Sequence, residues 1–98
     1  KRNPEDGKIN WENDMISIYN FVRAQTKPYP GAFSIIGNKK YYIWKCQPFD
    51  SKIEFPLSKN GEIVETFLGE DILVKCKDGS ILITESEGPK PEKGYCLK

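Results

Sequence analysis

A chain of 98 residues with a net charge of +1 has room for one domain and not for two, and exerts no global field toward nucleic acid or membrane. Its 38% hydrophobic and 12% aromatic residues can build a core, but it contains neither the run of about eighteen apolar residues that a membrane helix needs nor a signal-peptide pattern. It has no histidine, which removes the commonest general base, the Ser-His and Cys-His nucleophile pairs and most catalytic zinc sites.

The chain opens on Lys1 rather than methionine, and we read it as a piece of a longer protein. Residues 1–9 are polar and hold Pro4 and Gly7, as a connector does; residues 10–98 make up the domain. Asn10 is the expected N-cap of a helix, with Glu12 and Asp14 in its first turn, where negative charge complements the helix dipole. At about 100° per residue, Met15, Ile18, Tyr19 and Val22 share one stripe flanked by Ile16 and Phe21, while Asn13, Ser17 and Ala24 lie opposite. Arg23 falls at the edge of the stripe, where its stem can lie on apolar surface with its head in water. Pro28 stops the helix, because the residue before a proline resists helical angles.

From Gly31 the pattern changes to strands. Ala32–Ile36 runs into Gly37-Asn38, a two-residue hairpin turn, and returns through 40–49, rich in Tyr, Ile and Trp. Residues 50–60 form a longer loop punctuated by Pro56 and Asn60-Gly61. Strands follow at 62–68, 72–76 and 80–84, with turns at Gly69-Glu70 and Asp78-Gly79. In the first of these, Ile63, Glu65 and Phe67 alternate with Val64, Thr66 and Leu68, so its inward face is open. Ile72, Val74 and Cys76 make a cleaner inward row, and Ile81 and Ile83 another. The tail from Gly88 holds Pro89 and Pro91 and is expected to be irregular. The fold class expected is mainly β, a small OB-like, Greek-key, five-stranded barrel preceded by one amphipathic helix, since closure removes exposed edges.

Charge is unevenly spread: residues 27–59 carry six lysines against Asp50 and Glu54, and residues 60–98 carry five lysines against eight acids. The middle segment is a weakly basic face or simply a solvated sheet surface. Cys46, Cys76 and Cys96 are odd in number and lack a C-x-x-C pair. They point to neither a disulfide framework nor a zinc site, and fit a reducing cytoplasm.

Five fragments in order carry a resemblance. They are Pro4-Glu5-Asp6-Gly7-Lys8-Ile9-Asn10-Trp11, Asn20-Phe21-Val22-Arg23-Ala24, Pro28-Tyr29-Pro30-Gly31-Ala32 and Ile43-Trp44-Lys45-Cys46, then Gly61-Glu62-Ile63 with Leu73-Val74, Asp78-Gly79 and Leu82. Together they resemble the C-terminal domain of the methionyl-tRNA formyltransferase and sugar formyltransferase family. That resemblance implies an OB-like barrel joined by residues 1–9 to an N-terminal catalytic domain. It implies 10-formyltetrahydrofolate as cosubstrate of the whole enzyme, bound outside this segment, with no catalytic or cofactor-binding residue in this chain. The acceptor would be a nucleotide-linked amino sugar or initiator methionyl-tRNA. Four residues (Ala24, Gln25, Thr26, Lys27) separate Arg23 from the proline corner, a spacing that resembles the sugar-modifying branch more closely, and the corner's aromatic is Tyr29 where the members acting on methionyl-tRNA often use Trp.

The candidate substrate or partner contacts are Arg23, Lys27, Tyr29, Lys39, Lys40, Trp44 and Lys45. Arg23 could pair with a phosphate or a carboxylate of the catalytic domain, or serve its own helix end. Tyr29 between two prolines could stack on a ligand or pack the helix–barrel joint. Lys39, Lys40 and Lys45 form the densest basic cluster, which suits either a contact surface or an edge guarded against aggregation. Tyr42 and Trp44 are expected on opposite faces of their strand. One would enter the core and the other offer a platform or lie under the loop at 50–60. Glu5 and Asp6 have no partner base and are connector charges. The resulting expectation is a non-catalytic accessory domain of a cytoplasmic formyltransferase that helps bind, orient or dimerise. Its rivals are a free-standing OB-like module for RNA or single strands and a purely structural interaction domain.

Overall fold

The computed structural model describes residues 4–26, 30–49, 52–69 and 71–98. A short 3-10 turn, Pro4–Gly7, leads to one helix, α1 (Met15–Gln25), and five strands: β1 (Ala32–Ile36), β2 (Lys39–Pro48), β3 (Ile63–Thr66), β4 (Ile72–Cys76) and β5 (Gly79–Glu87).

The helix starts later than its sequence pattern indicates. Asp14 is the N-cap, its Oδ1 accepting from the Ser17 N–H at 2.8 Å. Asn10 instead caps a separate turn, where its Oδ1 accepts from the Glu12 N–H at 3.0 Å and its carbonyl from the Asn13 N–H at 3.2 Å. Trp11 explains the break: it is 5% exposed, and its Nε1–H donates to the buried Ser34 Oγ at 2.8 Å. A continuous helix from Asn10 would not need this inward turn, and both Asn10 and Asp14 are good caps, so local propensity does not choose between them. A second carboxylate arrives from far along the chain, Asp78 Oδ1 accepting from the Met15 N–H at 2.9 Å. Ile18 and Val22 are buried, whereas Ile16 is 55% exposed.

Hydrogen bonds from Ser17 hold the Asp14 carboxyl below its ordinary 3.8, with Lys77 adding a smaller pull the same way. A carboxyl depressed in the folded state contributes stability that is full above its unfolded value and fades as pH falls through the folded one. Urea midpoints measured against pH should therefore drop on acidification. Asp14→Asn, which still caps but does not titrate, should flatten that limb, and an unchanged slope would remove Asp14 from the account.

The five strands are antiparallel in the order β1-β2-β5-β4-β3. A hairpin (β1–β2) and a meander (β3–β4–β5) are joined side by side through β2 and β5, and the sheet curls into a half-barrel. Its concave side holds the core: Ala32, Tyr41, Ile43, Ile63, Ile72, Val74, Cys76, Ile81 and Ile83, with Ile18 and Val22 of α1 packed into it. Ile72, Val74 and Cys76 point inward as their alternation indicates, as do Ile81 and Ile83. In β3 a register shift between Ile63 and Glu65 lets both Ile63 and Val64 be buried, which is why simple alternation gave no answer there. A second shift, around Trp44 and Lys45 in β2, changes parity so that Cys46 rejoins the core side.

Two segments expected to be irregular take part in the barrel. Lys8 bridges Phe33 in parallel, and the Ile9 N–H donates to the Phe33 carbonyl at 2.9 Å, with Ile9 buried. At the other end of the chain, Lys98 and Ile35 exchange backbone hydrogen bonds at 2.8 and 3.3 Å. The Ile63 N–H donates to Tyr95 O, and the Leu97 N–H to Gly61 O, both at 2.8 Å. Residues 95–98 thus lie between the free edges of β1 and β3 and close the gap in the half-barrel. Unpaired edges are aggregation-prone, and this segment covers them.

Candidate functional site

The hairpin's alternation has period two, so Tyr42 and Trp44, two residues apart, share one face. The expectation that they oppose each other is thereby corrected. Tyr41 and Ile43 enter the core, and Tyr42 and Trp44 lie on the convex side, both half-buried. Their rings stack with centroids 5.6 Å apart and an interplanar angle of 9°. Phe33, paired with Tyr42 across the hairpin, tilts against it at 6.2 Å and 57°. Lys40 Nζ sits 4.4 Å from the Phe33 ring centroid, a cation–π contact. The Trp44 Nε1–H donates to Glu87 Oε1 at 3.3 Å. Trp44 lies against Gly31, Tyr42 and Glu87, so the platform arises from β1, β2 and β5.

Gly31 is the centre of this arrangement. Its φ of 108° belongs to the left-handed side of the map, and a Cβ there would fall 2.7 Å from two Trp44 ring carbons. A Cβ on Gly7 would run into the Gly31 carbonyl oxygen and lie 3.6 Å from Phe33. Three of the sequence fragments carrying the resemblance therefore meet at one point: Gly7 from the first, Gly31 from the proline corner and Trp44 from the second strand. Sequence reading singled out each fragment without any signal that they touch. Asp78, from the last fragment, ties the start of α1 to the β4–β5 turn.

The other candidates are scattered. Arg23 is exposed, its guanidinium 5.3 Å from the Tyr19 ring centroid and its Nη1 donating to Asn20 Oδ1 at 3.4 Å. Lys39 is exposed at the hairpin turn, and Lys45 pairs with Glu85 at 3.9 Å with both side chains largely in solvent. Such a pair contributes little to stability. Lys27 and Tyr29 lie outside the described residues. The structure brings Lys40 and Trp44 together with Phe33 and Tyr42, which sequence reading did not group.

At the opposite side of the β2–β5 seam, a groove of about 690 Å3 opens between the β3–β4 turn and the tail. Tyr41 and Ser86 form part of its lining, with Phe67, Leu68, Pro89 and Pro91. Leu68 is fully exposed there. Burial pushes the Cys46 thiol up to about 11 and raises that of Cys76, so neither is a ready nucleophile. Among the described residues, no group of three His, Cys, Asp or Glu is placed to hold a metal ion, and no helix is long and apolar enough to cross a membrane.

Residues 1–94 match the family described as formyl transferase, C-terminal domain. Over 87 residues the chain is 40% identical to the bifunctional polymyxin resistance protein ArnA of Wigglesworthia glossinidia brevipalpis. That alignment covers 89% of this chain and 12% of ArnA, so the chain spans only a small part of the relative's length. HypX from Aquifex aeolicus, solved in complex with tetrahydrofolic acid, shares the fold at a TM-score of 0.69 and 24% identity, covering 88% of this chain and 14% of HypX. A variant of HypX aligns at a TM-score of 0.68 over 92% of this chain and 15% of its own. With the barrel, its leading helix and the meeting of three family fragments at Gly31, these matches carry one conclusion: the chain belongs to the formyl transferase C-terminal domain family.

Proposed function

We propose that the chain is the non-catalytic accessory domain of a cytoplasmic, 10-formyltetrahydrofolate-dependent N-formyltransferase, and that it helps bind, orient or dimerise rather than react. One observation carries this reading: the family residues have architectural roles. Gly7, Trp11, Gly31, Trp44 and Asp78 are each occupied in backbone approach, core packing or capping. The chain also has no histidine for proton transfer. The folate and the formyl-transfer step belong to a catalytic domain ahead of residues 1–9, which serve as its connector. That HypX binds tetrahydrofolic acid is in keeping with a folate-dependent whole, and the small share of ArnA covered is in keeping with a larger parent chain. For the acceptor we favour a nucleotide-linked amino sugar over initiator methionyl-tRNA. The grounds are the four-residue spacer after Arg23, Tyr29 in the corner, and a net charge of +1, small for a domain that grips RNA by counterion release.

The test supplies 10-formyltetrahydrofolate and each acceptor to the full-length protein and to residues 1–98 alone, and follows formyl gain on the acceptor by mass. Transfer to the amino sugar by the full-length protein, and none by residues 1–98, is the expected result. Turnover by residues 1–98 would overturn the accessory role, and transfer only to methionyl-tRNA would overturn the acceptor. Tight tRNA binding by residues 1–98 that collapses with salt would favour the RNA-binding module instead.

A further inference from the structure

We infer that the convex face of the β1–β2 hairpin, centred on Tyr42 and Trp44, is the seat on which the domain preceding this chain packs. The inference rests on the reading that such an upstream domain exists, and it names the surface that domain touches.

The path of the backbone carries the argument. The Pro4–Gly7 turn reaches the barrel on its convex side, because Gly7 abuts both Gly31 and Phe33, which shares that side with Tyr42 and is itself buried. Lys8 and Ile9 then pair with Phe33 before the chain turns inward at Trp11. Trp44 lies against Gly31 as well, so Gly31 touches both the incoming chain and the aromatic stack. A body attached ahead of Pro4 is delivered beside Tyr42 and Trp44. Tethering turns its docking into an intramolecular event at an effective concentration on the order of millimolar, so a modest surface suffices.

The chemistry of the face fits a protein partner. Tyr and Trp are enriched at the centres of interfaces because their large rings bury much area for few rotatable bonds. Here the rings are set before any docking, by the Tyr42–Trp44 stack, the Lys40 contact with Phe33 and the Trp44 hydrogen bond to Glu87. Exposed Lys8 and Glu87 flank them, so the matching patch should be apolar with a rim of mixed charge. The groove between Phe67 and the tail mixes Phe67 and Leu68 with Asp71, Lys90, Glu92 and Lys93, and the Pro4–Gly7 turn does not line it.

The experiment places the photo-crosslinker p-benzoylphenylalanine in the full-length protein at Tyr42, at Glu87 on the exposed rim, and at Leu57, which is 99% exposed on the β2–β3 loop. Irradiation followed by peptide mapping should join position 42 or 87 to peptides of the domain ahead of residue 1 within one molecule, at several times the yield from position 57. Crosslinks only between two copies, only within residues 1–98, or in equal yield from position 57 would overturn the seat. The rim variant covers the case in which the Tyr42 variant fails to fold. Formyl transfer is scored separately. Crosslinking without transfer leaves the seat and removes the activity, and transfer without crosslinking does the reverse.

Discussion

Trp11→Ala is expected to lower the stability of the domain by about 3–5 kcal/mol, the range for truncating a fully packed large aromatic. A domain of this size has about 5–15 kcal/mol in all, so the variant should be close to unfolding. Trp11 is 5% exposed and sits where three parts of the chain meet. Its indole N–H reaches Ser34 on β1, and a Cβ on Gly61 would lie 3.3 Å from its ring. Alanine leaves a void there that the surrounding backbone cannot readily collapse to fill. Trp11→Phe separates the two contributions. It keeps most of the apolar volume but leaves the buried Ser34 hydroxyl without its donor, at a cost of about 1–3 kcal/mol. Adding Ser34→Ala should recover part of that loss, because a pair of polar partners removed together costs less than one stranded. Urea unfolding gives the numbers. A Trp11→Ala midpoint within error of the parent would mean that the lead-in segment is not part of the core.

A chain ending at Gly94 is expected to lose both stability and solubility. Removing residues 95–98 breaks the backbone bonds of Lys98 with Ile35, of Leu97 with Gly61 and of Tyr95 with Ile63. It also removes Leu97, which is 4% exposed, and the Tyr95 hydroxyl that accepts from the Gly37 N–H at 2.8 Å. Loss of the Leu97 side chain alone is comparable to a buried Leu→Ala change, about 2–5 kcal/mol. The point variant Leu97→Ala tests that part with the backbone pairing intact. The freed edges of β1 and β3 then offer unpaired N–H and C=O groups, which recruit other strands. Sedimentation should show concentration-dependent association for the shortened chain and a monomeric or unchanged state for Leu97→Ala. A shortened chain that stays as stable and as dispersed as the parent would show that residues 95–98 do not close the barrel.

Chemistry confined to a few neighbouring residues was legible in the sequence. The Gly37-Asn38 turn set the β1–β2 hairpin, the apolar stripe of α1 found Ile18 and Val22, and alternation placed Ile72, Val74, Cys76, Ile81 and Ile83 inward. Each depends on a short-range period or a turn dihedral, which a window of ten residues contains. The family fragments were legible for the same reason, as strings, but their shared role at Gly31 was not.

What only the tertiary structure decided are contacts between residues far apart in the chain. The start of α1 moved from Asn10 to Asp14 because Trp11 is drawn to Ser34, and because Asp78, 63 residues away, binds the Met15 N–H. The face of β3 and the side taken by Cys46 follow from register shifts against β4 and β5, which no pattern within one strand reveals. The tail looked irregular because residues 95–98 are too short to show alternation, and their strand-like pairing is imposed by two edges that fold elsewhere. Sequence by itself determined which elements form, since propensity and turn geometry act locally. The tertiary structure decided where those elements begin, which rings share the convex face and what closes the barrel, since burial and edge pairing depend on partners that only the folded chain brings together.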